Sequence, residues 1–118
     1  MADPNRFLAV EDIGDVAVIK FSIKKLLDEQ TIETIGEHFF RIVDELGKRK
    51  VLINFQEVKY VAVPMIGKII SFNKRLSTVG GKLILCNMVP HIYEVFEITR
   101  LNKCLNILET QEKALEKF

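Results

Sequence analysis

Val51-Leu52-Ile53-Asn54-Phe55-Gln56-Glu57-Val58 is the stretch on which the fold turns. Its first five residues form a short, mainly apolar run without polar alternation, the pattern of a strand buried on both faces of a sheet. Such strands belong to parallel sheets, whose neighbours are joined by helical crossovers. The flanks supply the helices. Upstream, Ile32, Ile35, Phe39, Ile42 and Leu46 recur at spacings of 3, 4, 3 and 4, which places all five on one helix face. Asp28 suits the N-cap, with Glu29 in the positive first turn, and Gly47 suits the C-terminal stop. Glu33, Glu37, Arg41 and Asp44 fall on the solvated side. Downstream, residues 56–59 turn the chain and Pro64 fits the first turn of a second helix. Ile66, Ile69, Ile70, Asn73 and Leu76 then follow at helical spacing, and Gly80-Gly81 ends the helix.

Further out, two runs at residues 7–11 and 16–21 flank Asp12-Ile13-Gly14-Asp15 and read as a hairpin. Residues 83–86 form another buried strand. Pro90 opens a third helix with Ile92, Val95 and Phe96 on its inner face. Residues 105–108 make a last short strand, and Thr110 caps a terminal helix containing Ala114, Leu115 and Phe118. Glu109 and Lys113 form an i, i+4 pair in the favourable order. The element order is β-β-α-β-α-β-α-β-α. It predicts an α/β fold with one mixed, mostly parallel sheet packed by about four helices, the opening hairpin adding an antiparallel edge pair. No repeat, linker or low-complexity stretch interrupts the order, so residues 1–118 read as a single domain.

Composition sets outer limits. The chain has 118 residues, 48% of them hydrophobic, with 17 basic and 16 acidic side chains and a net charge of +1. That length and apolar share allow a core without metal or disulfide staples and exclude a disordered chain. The near-zero charge excludes nucleic-acid binding through a whole-domain field. The longest run without a charged residue, residues 83–93, has eleven residues, and a bilayer span needs ~20. Residues 1–6 lack the apolar core of a signal peptide. The expected location is the cytoplasm, with no membrane insertion. Cys86 and Cys104 are expected to be free thiols, buried or half-buried. The triplet Lys48-Arg49-Lys50 is either a small anion patch or, the preferred reading, a set of cations at a helix C-terminus flanking a buried strand.

The motifs of common chemistries are missing. There is no Gly-x4-Gly-Lys-Ser/Thr loop and no Gly-x-Gly-x-x-Gly, and Gly80-Gly81-Lys82 precedes a strand rather than a helix. His38 and His91 share no ligand spacing with the cysteines, so no metal is expected. Cys86 ends a strand, where α/β folds often place ligand sites, but a nucleophile there would need a nearby base to depress its pKa. The sequence therefore points away from an enzyme and implies no cofactor.

Three segments together resemble the STAS family, the sulfate-transporter and anti-sigma-factor-antagonist domains. Leu27-Asp28 leads into the first helix. Val51 to Val58 resembles the family strand, a hydrophobic run followed by aspartate, leucine, serine, any residue and valine. Gly80-Gly81-Lys82-Leu83-Ile84-Leu85 resembles its glycine turn and next strand. The resemblance covers about residues 7–118 and implies a regulatory protein-binding module. In the family's anti-sigma factor antagonists, the loop before the second helix reads Asp-Ser-Ser/Ala-Gly-Leu-Gly. Its first serine is phosphorylated by a partner kinase that is also the anti-sigma factor, and the dephosphorylated antagonist captures that kinase. Phosphate at a helix start adds about −1.5 to −2 charge, enough to abolish a close-packed interface.

This chain departs from that pattern at the switch. The loop reads Tyr60-Val61-Ala62-Val63-Pro64-Met65-Ile66-Gly67. Ala62 stands at the aspartate position, Val63 at the phosphoacceptor serine and Met65 at the first glycine, while Gly67 is retained. Asn54 replaces the strand-end aspartate. The resemblance thus implies partner binding through Asp28, Ala62, Val63, Pro64 and Met65, with no phosphoacceptor at Val63. Val63, Pro64 and Met65 form either an apolar docking patch or side chains packed under the sheet. Ser71, Ser77, Thr78 and Thr99 are other candidate acceptors. The implied partner is an anti-sigma factor or related serine kinase, and the oligomeric state is left open between monomer and homodimer. The alternative is a scaffold subunit of a stress-signalling assembly or of an ATP-binding-cassette lipid-transport machine. Nucleotide binding, suspected for some family members, has no phosphate motif to support it here.

Overall fold

A tight turn at Gly14-Asp15 closes the first hairpin, and Gly14 takes the positive φ, +62°, that such turns require. It joins β1 (Leu8–Ile13) to β2 (Val16–Phe21), antiparallel with Ile13 opposite Val16. These elements are those of a computed structural model, which describes residues 7–118. The chain continues through β3 (Lys25–Leu26), α1 (Glu29–Asp44), β4 (Lys50–Asn54), β5 (Tyr60–Val61), α2 (Val63–Thr78) and β6 (Lys82–Cys86). It ends with α3 (Pro90–Ile98), a 3₁₀ turn (Leu101–Lys103), β7 (Asn106–Leu108) and α4 (Gln111–Leu115). Five strands form one sheet in the order β1-β2-β4-β6-β7. Only the β1–β2 pair is antiparallel; β4 lies parallel between β2 and β6, and β7 pairs parallel to β6. The α/β expectation, four helices on a mixed, mostly parallel sheet, holds.

Alternation along the strands sorts the core into two layers. Ile19, Phe21, Val51, Ile53, Leu83 and Leu85 face the larger layer, where Ile32, Ile35, Phe39 and Ile42 of α1, Ile69 and Phe72 of α2, and Ile92 and Phe96 of α3 pack on them. Val16, Val18, Leu52, Ile84 and Cys86 face the other side, covered by Ala114, Leu115 and Phe118 around α4. Covering both faces is why the strands read as continuous apolar runs. Phe39 and Phe72 stack with centroids 4.6 Å apart where α1 meets α2. Arg75 donates twice to one carboxylate oxygen of Asp44, at 3.0 and 2.8 Å, and ties the ends of those helices.

Several expectations shift. Leu46 is 60% exposed, because α1 stops at Asp44 and Gly47, at φ +66°, redirects the chain. In α2 the buried face is Met65, Ile66, Ile69, Phe72 and Leu76, so Phe72 rather than Asn73 is the core residue. Val95 lies on the outer side of α3. Cys104 is exposed, and only Cys86 is buried. The short strands β3 and β5 and the 3₁₀ turn lie outside the expected order. The basic triplet resolves into local ties. Lys48 pairs with Asp12 at 3.0 Å and Lys50 with Asp15 at 2.6 Å, while Arg49 donates to the carbonyls of Val43 and Lys48.

Two glycines make opposite demands. A Cβ on Gly81 would sit 2.6 Å from the Arg49 carbonyl oxygen and 2.8 Å from Leu76 Cδ2, whereas a Cβ on Gly67, within α2, would meet nothing within 4 Å. Gly81→Ala is expected to lower unfolding free energy by about 1–3 kcal/mol through overpacking. Gly67→Ala is expected to raise it by about 0.5–1 kcal/mol through helix propensity. Urea unfolding of both variants checks the pair.

Candidate functional site

The site is set by a ribbon two residues wide. β3 and β5 pair in parallel, Lys25 opposite Tyr60 and Leu26 opposite Val61. The backbone N–H groups of Lys59 and Tyr60 donate to the Lys24 carbonyl at 2.7 and 3.1 Å, and that of Ala62 donates to the Leu26 carbonyl at 2.9 Å. Because the strands run the same way, the segments leaving them start side by side: Leu27-Asp28 into α1 and Ala62-Val63 into α2. The two helix starts named by the sequence are thereby brought together.

Their chemistry differs. Asp28 caps α1, its carboxylate accepting from the Thr31 N–H at 2.9 Å and the Thr31 hydroxyl at 3.0 Å. Those bonds hold its carboxyl below the usual range. Ala62 caps α2 with no side-chain bond, and Pro64 occupies the first turn. Val63 is 78% exposed and Pro64 is exposed as well, Ala62 is partly buried, and Met65 is fully buried in the core. The surface at this helix start is therefore Val63 and Pro64; the Met65 side chain turns inward with Ile66 and Ile69. Of the alternative hydroxyls, those of Thr78 and Thr99 bond the carbonyls of Arg75 and Val95 at 2.7 Å.

Beside the helix start lies an apolar recess of about 160 Å³. Ile66, Ile92 and Phe96 line its base, and Leu27, Tyr60 and Val95, each 41–52% exposed, rise around it. His91 stands at its edge, its ring centroid 5.9 Å from that of Tyr60 and its Nε2 hydrogen-bonded to the Lys59 carbonyl. Sequence reasoning missed this recess. Its one signal is a pair of apolar residues, Leu27 and Tyr60, that the sheet and helix periodicities do not need; Val95 fits the helical period and reads as an inner-face residue.

The other candidates are accounted for locally. Asn54, 4% exposed, donates to Gln111 Oε1 at 2.8 Å and accepts from the Gln56 N–H at 2.8 Å, so it fastens α4 to the end of β4. Burial pushes the Cys86 thiol up to about 12, the opposite of an activated nucleophile. Burial also lowers the His38 pKa, and among the described residues no group partners its Nδ1. Among the described residues no three His, Cys, Asp or Glu side chains gather as a metal set, and no helix is long and apolar enough to cross a membrane.

Residues 8–114 match the family model of the STAS domain. The chain belongs to the STAS domain family. A STAS domain protein described as an anti-sigma-factor antagonist, from Planctomyces limnophilus, superposes with a TM-score of 0.81 at 26% identity, over 93% of this chain and 95% of that one. The phosphorylated form of the Bacillus cell fate determinant SpoIIAA superposes at 0.72 and 21% identity, over 93% and 97%. In sequence, the Bordetella bronchiseptica protein named "Putative anti-sigma factor antagonist BtrV" is 29% identical over 72 residues, 61% of this chain. That match spans 62% of the relative's own length. The STAS fold of the antagonist type supports a regulatory role.

Two outcomes follow from the local chemistry. Asp28→Ala should lower the thermal midpoint at neutral pH. Because the folded-state pKa is depressed, the advantage of the parent chain is present above the unfolded carboxylate value, about 3.9, and is lost as pH falls through the lower folded value. Melting curves of both chains from neutral to acid pH check this. Under native conditions a thiol reagent should titrate Cys104 and spare Cys86, and denaturant should release the second thiol.

Proposed function

We propose that this STAS protein is a non-enzymatic, cytoplasmic binding module of the anti-sigma factor antagonist type. It captures an anti-sigma factor or related serine kinase at the paired helix starts, without phosphorylation at the position of the family's serine. The observation that carries this reading is Val63: first residue of α2, 78% exposed, and without a hydroxyl. No aliphatic hydroxyl occurs anywhere in residues 61–67. An exposed apolar residue beside a proline at a helix start is a contact surface that a kinase cannot charge. Gly67 supports the same reading. The fold leaves open space over it, and a glycine inside a helix costs about 0.5–1 kcal/mol relative to alanine, so its use there suits the close approach of a partner backbone. The relatives named for anti-sigma factor antagonism support the class of partner.

A surface without a switch also suits a permanent contact, which keeps the scaffold-subunit reading as the alternative. Co-purification separates the two: a switchless antagonist captures a kinase, whereas a scaffold subunit elutes in a larger assembly. For the first reading, a serine kinase of the anti-sigma class should be retained by the full chain. Val63→Asp should weaken that capture by about tenfold or more by desolvating a charge in the contact. Mass spectrometry after incubation with that kinase and ATP should find residues 60–67 unmodified. Phosphate within that segment would overturn the switchless mechanism.

A further inference from the structure

The recess beside α2 carries chemistry that Val63 does not. Its base is Ile66, Ile92 and Phe96, and its size is close to that of an engineered cavity of about 150 Å³ that holds benzene. It is open on one side and admits one large apolar side chain, not a second helix face. The ribbon that forms one wall is basic. Lys24, Lys25 and Lys59 are all exposed on it. Among the described residues none of the three is ion-paired, as is also true of Lys20, Lys74, Arg100 and Lys103 elsewhere on the surface; what sets the three apart is that the ribbon brings them together. Lys25 holds its ammonium 5.8 Å from the centroid of Tyr60, which is one of the residues that line the recess. Asp28, Glu57 and Glu94 are exposed on the neighbouring segments, Asp28 bonded to Thr31, and none of them pairs with the three lysines among the described residues.

In a chain of net charge +1, three exposed lysines clustered on the ribbon beside one apolar recess favour complementary charge in the occupant. We infer that the recess between the β3–β5 ribbon and α3 binds an acidic protein segment, which inserts one leucine-sized or phenylalanine-sized side chain while its flanking Asp or Glu residues meet Lys24, Lys25 and Lys59. This deepens the protein-binding reading above and rests on it for the partner's class, but the surface is distinct from Val63. A peptide fits better than an anionic membrane. The apolar element here is a hollow bounded by Leu27, Tyr60 and Val95, and a membrane-binding face presents protruding apolar groups to the acyl boundary.

The test is selection of a random-peptide phage library on the immobilised full chain. Enriched peptides should carry a large aliphatic or aromatic residue with Asp or Glu on either side. A synthetic peptide from that set should lose about tenfold or more in affinity towards Val95→Asp and towards the triple variant Lys24→Glu, Lys25→Glu, Lys59→Glu, and it should weaken as salt rises. Melting curves confirm that the variants fold; their substituted positions are all solvent-exposed. Replacing the peptide's apolar residue by alanine should abolish binding. Enrichment of basic or patternless peptides, no enrichment, or affinity unchanged in both variants would each overturn the inference. So would vesicles of phosphatidylserine that bind the chain and lose that binding in the triple lysine variant, while no peptide does. Kinase capture lost in Val63→Asp but untouched in Val95→Asp and the lysine variant would remove this recess from the kinase contact and leave the antagonist reading standing. Peptide binding at the recess without any kinase capture would do the reverse.

Discussion

Strand β4 is hydrogen-bonded in parallel on both sides, and Val51, Leu52 and Ile53 are fully buried on both faces. That constraint organises the rest. A parallel neighbour cannot be reached by a tight turn, so each crossover carries a helix. With both faces of the central strand apolar, each face needs a covering layer: α1, α2 and α3 on one side and the short α4 on the other. The same constraint fixes where loops gather. The chain leaves β2 and β4 at the same end of the sheet, and the two segments that emerge pair as β3 and β5 before entering α1 and α2.

That pairing turns a packing problem into a site. A hydrogen bond from the Ala62 N–H to the Leu26 carbonyl aligns two helix starts that lie far apart in sequence. One is capped by a carboxylate whose bonds to Thr31 are complete. The other has an alanine cap and an outward valine. A carboxylate caps one start and no charge stands at the other, and three exposed lysines sit on the ribbon behind them. An apolar surface at the helix starts, with lysines on the adjoining ribbon, is what results, and it follows from the backbone pairing.

Much of this was legible in the sequence. The α1 stripe, the Asp28 cap, the hairpin turn at Gly14 and the three parallel strands each carry a periodic or conformational signal strong enough to survive in a short window. The ribbon carried none. Lys25-Leu26 and Tyr60-Val61 are too short for alternation to show, and they pair only because the sheet delivers them together. Helix-face errors had a similar origin: Ile70 and Asn73 continue the period from Ile66, but the buried face of α2 is centred on Met65, Ile69, Phe72 and Leu76, one residue away. The position of Met65 in the core was likewise illegible, since a residue at a helix start can turn either way until the neighbouring elements are placed.

What separates this surface from a phosphoswitch is electrostatic. A helix N-terminus offers unpaired N–H groups and a partial positive charge, so a serine there both attracts modification and stabilises the phosphate once it is attached. Valine at the same point of α2 keeps the field and removes the chemistry: the surface stays apolar whatever kinase is present. A partner held by such a contact must be released by something other than charge placed on Val63; the contact proposed at the neighbouring recess, with its ribbon lysines, is a separate lever. Their contribution is screened by salt and can be competed by other acidic segments. A contact built from one enclosed apolar side chain and exposed ion pairs is therefore adjustable in strength while the fold beneath it, anchored on β4, stays fixed.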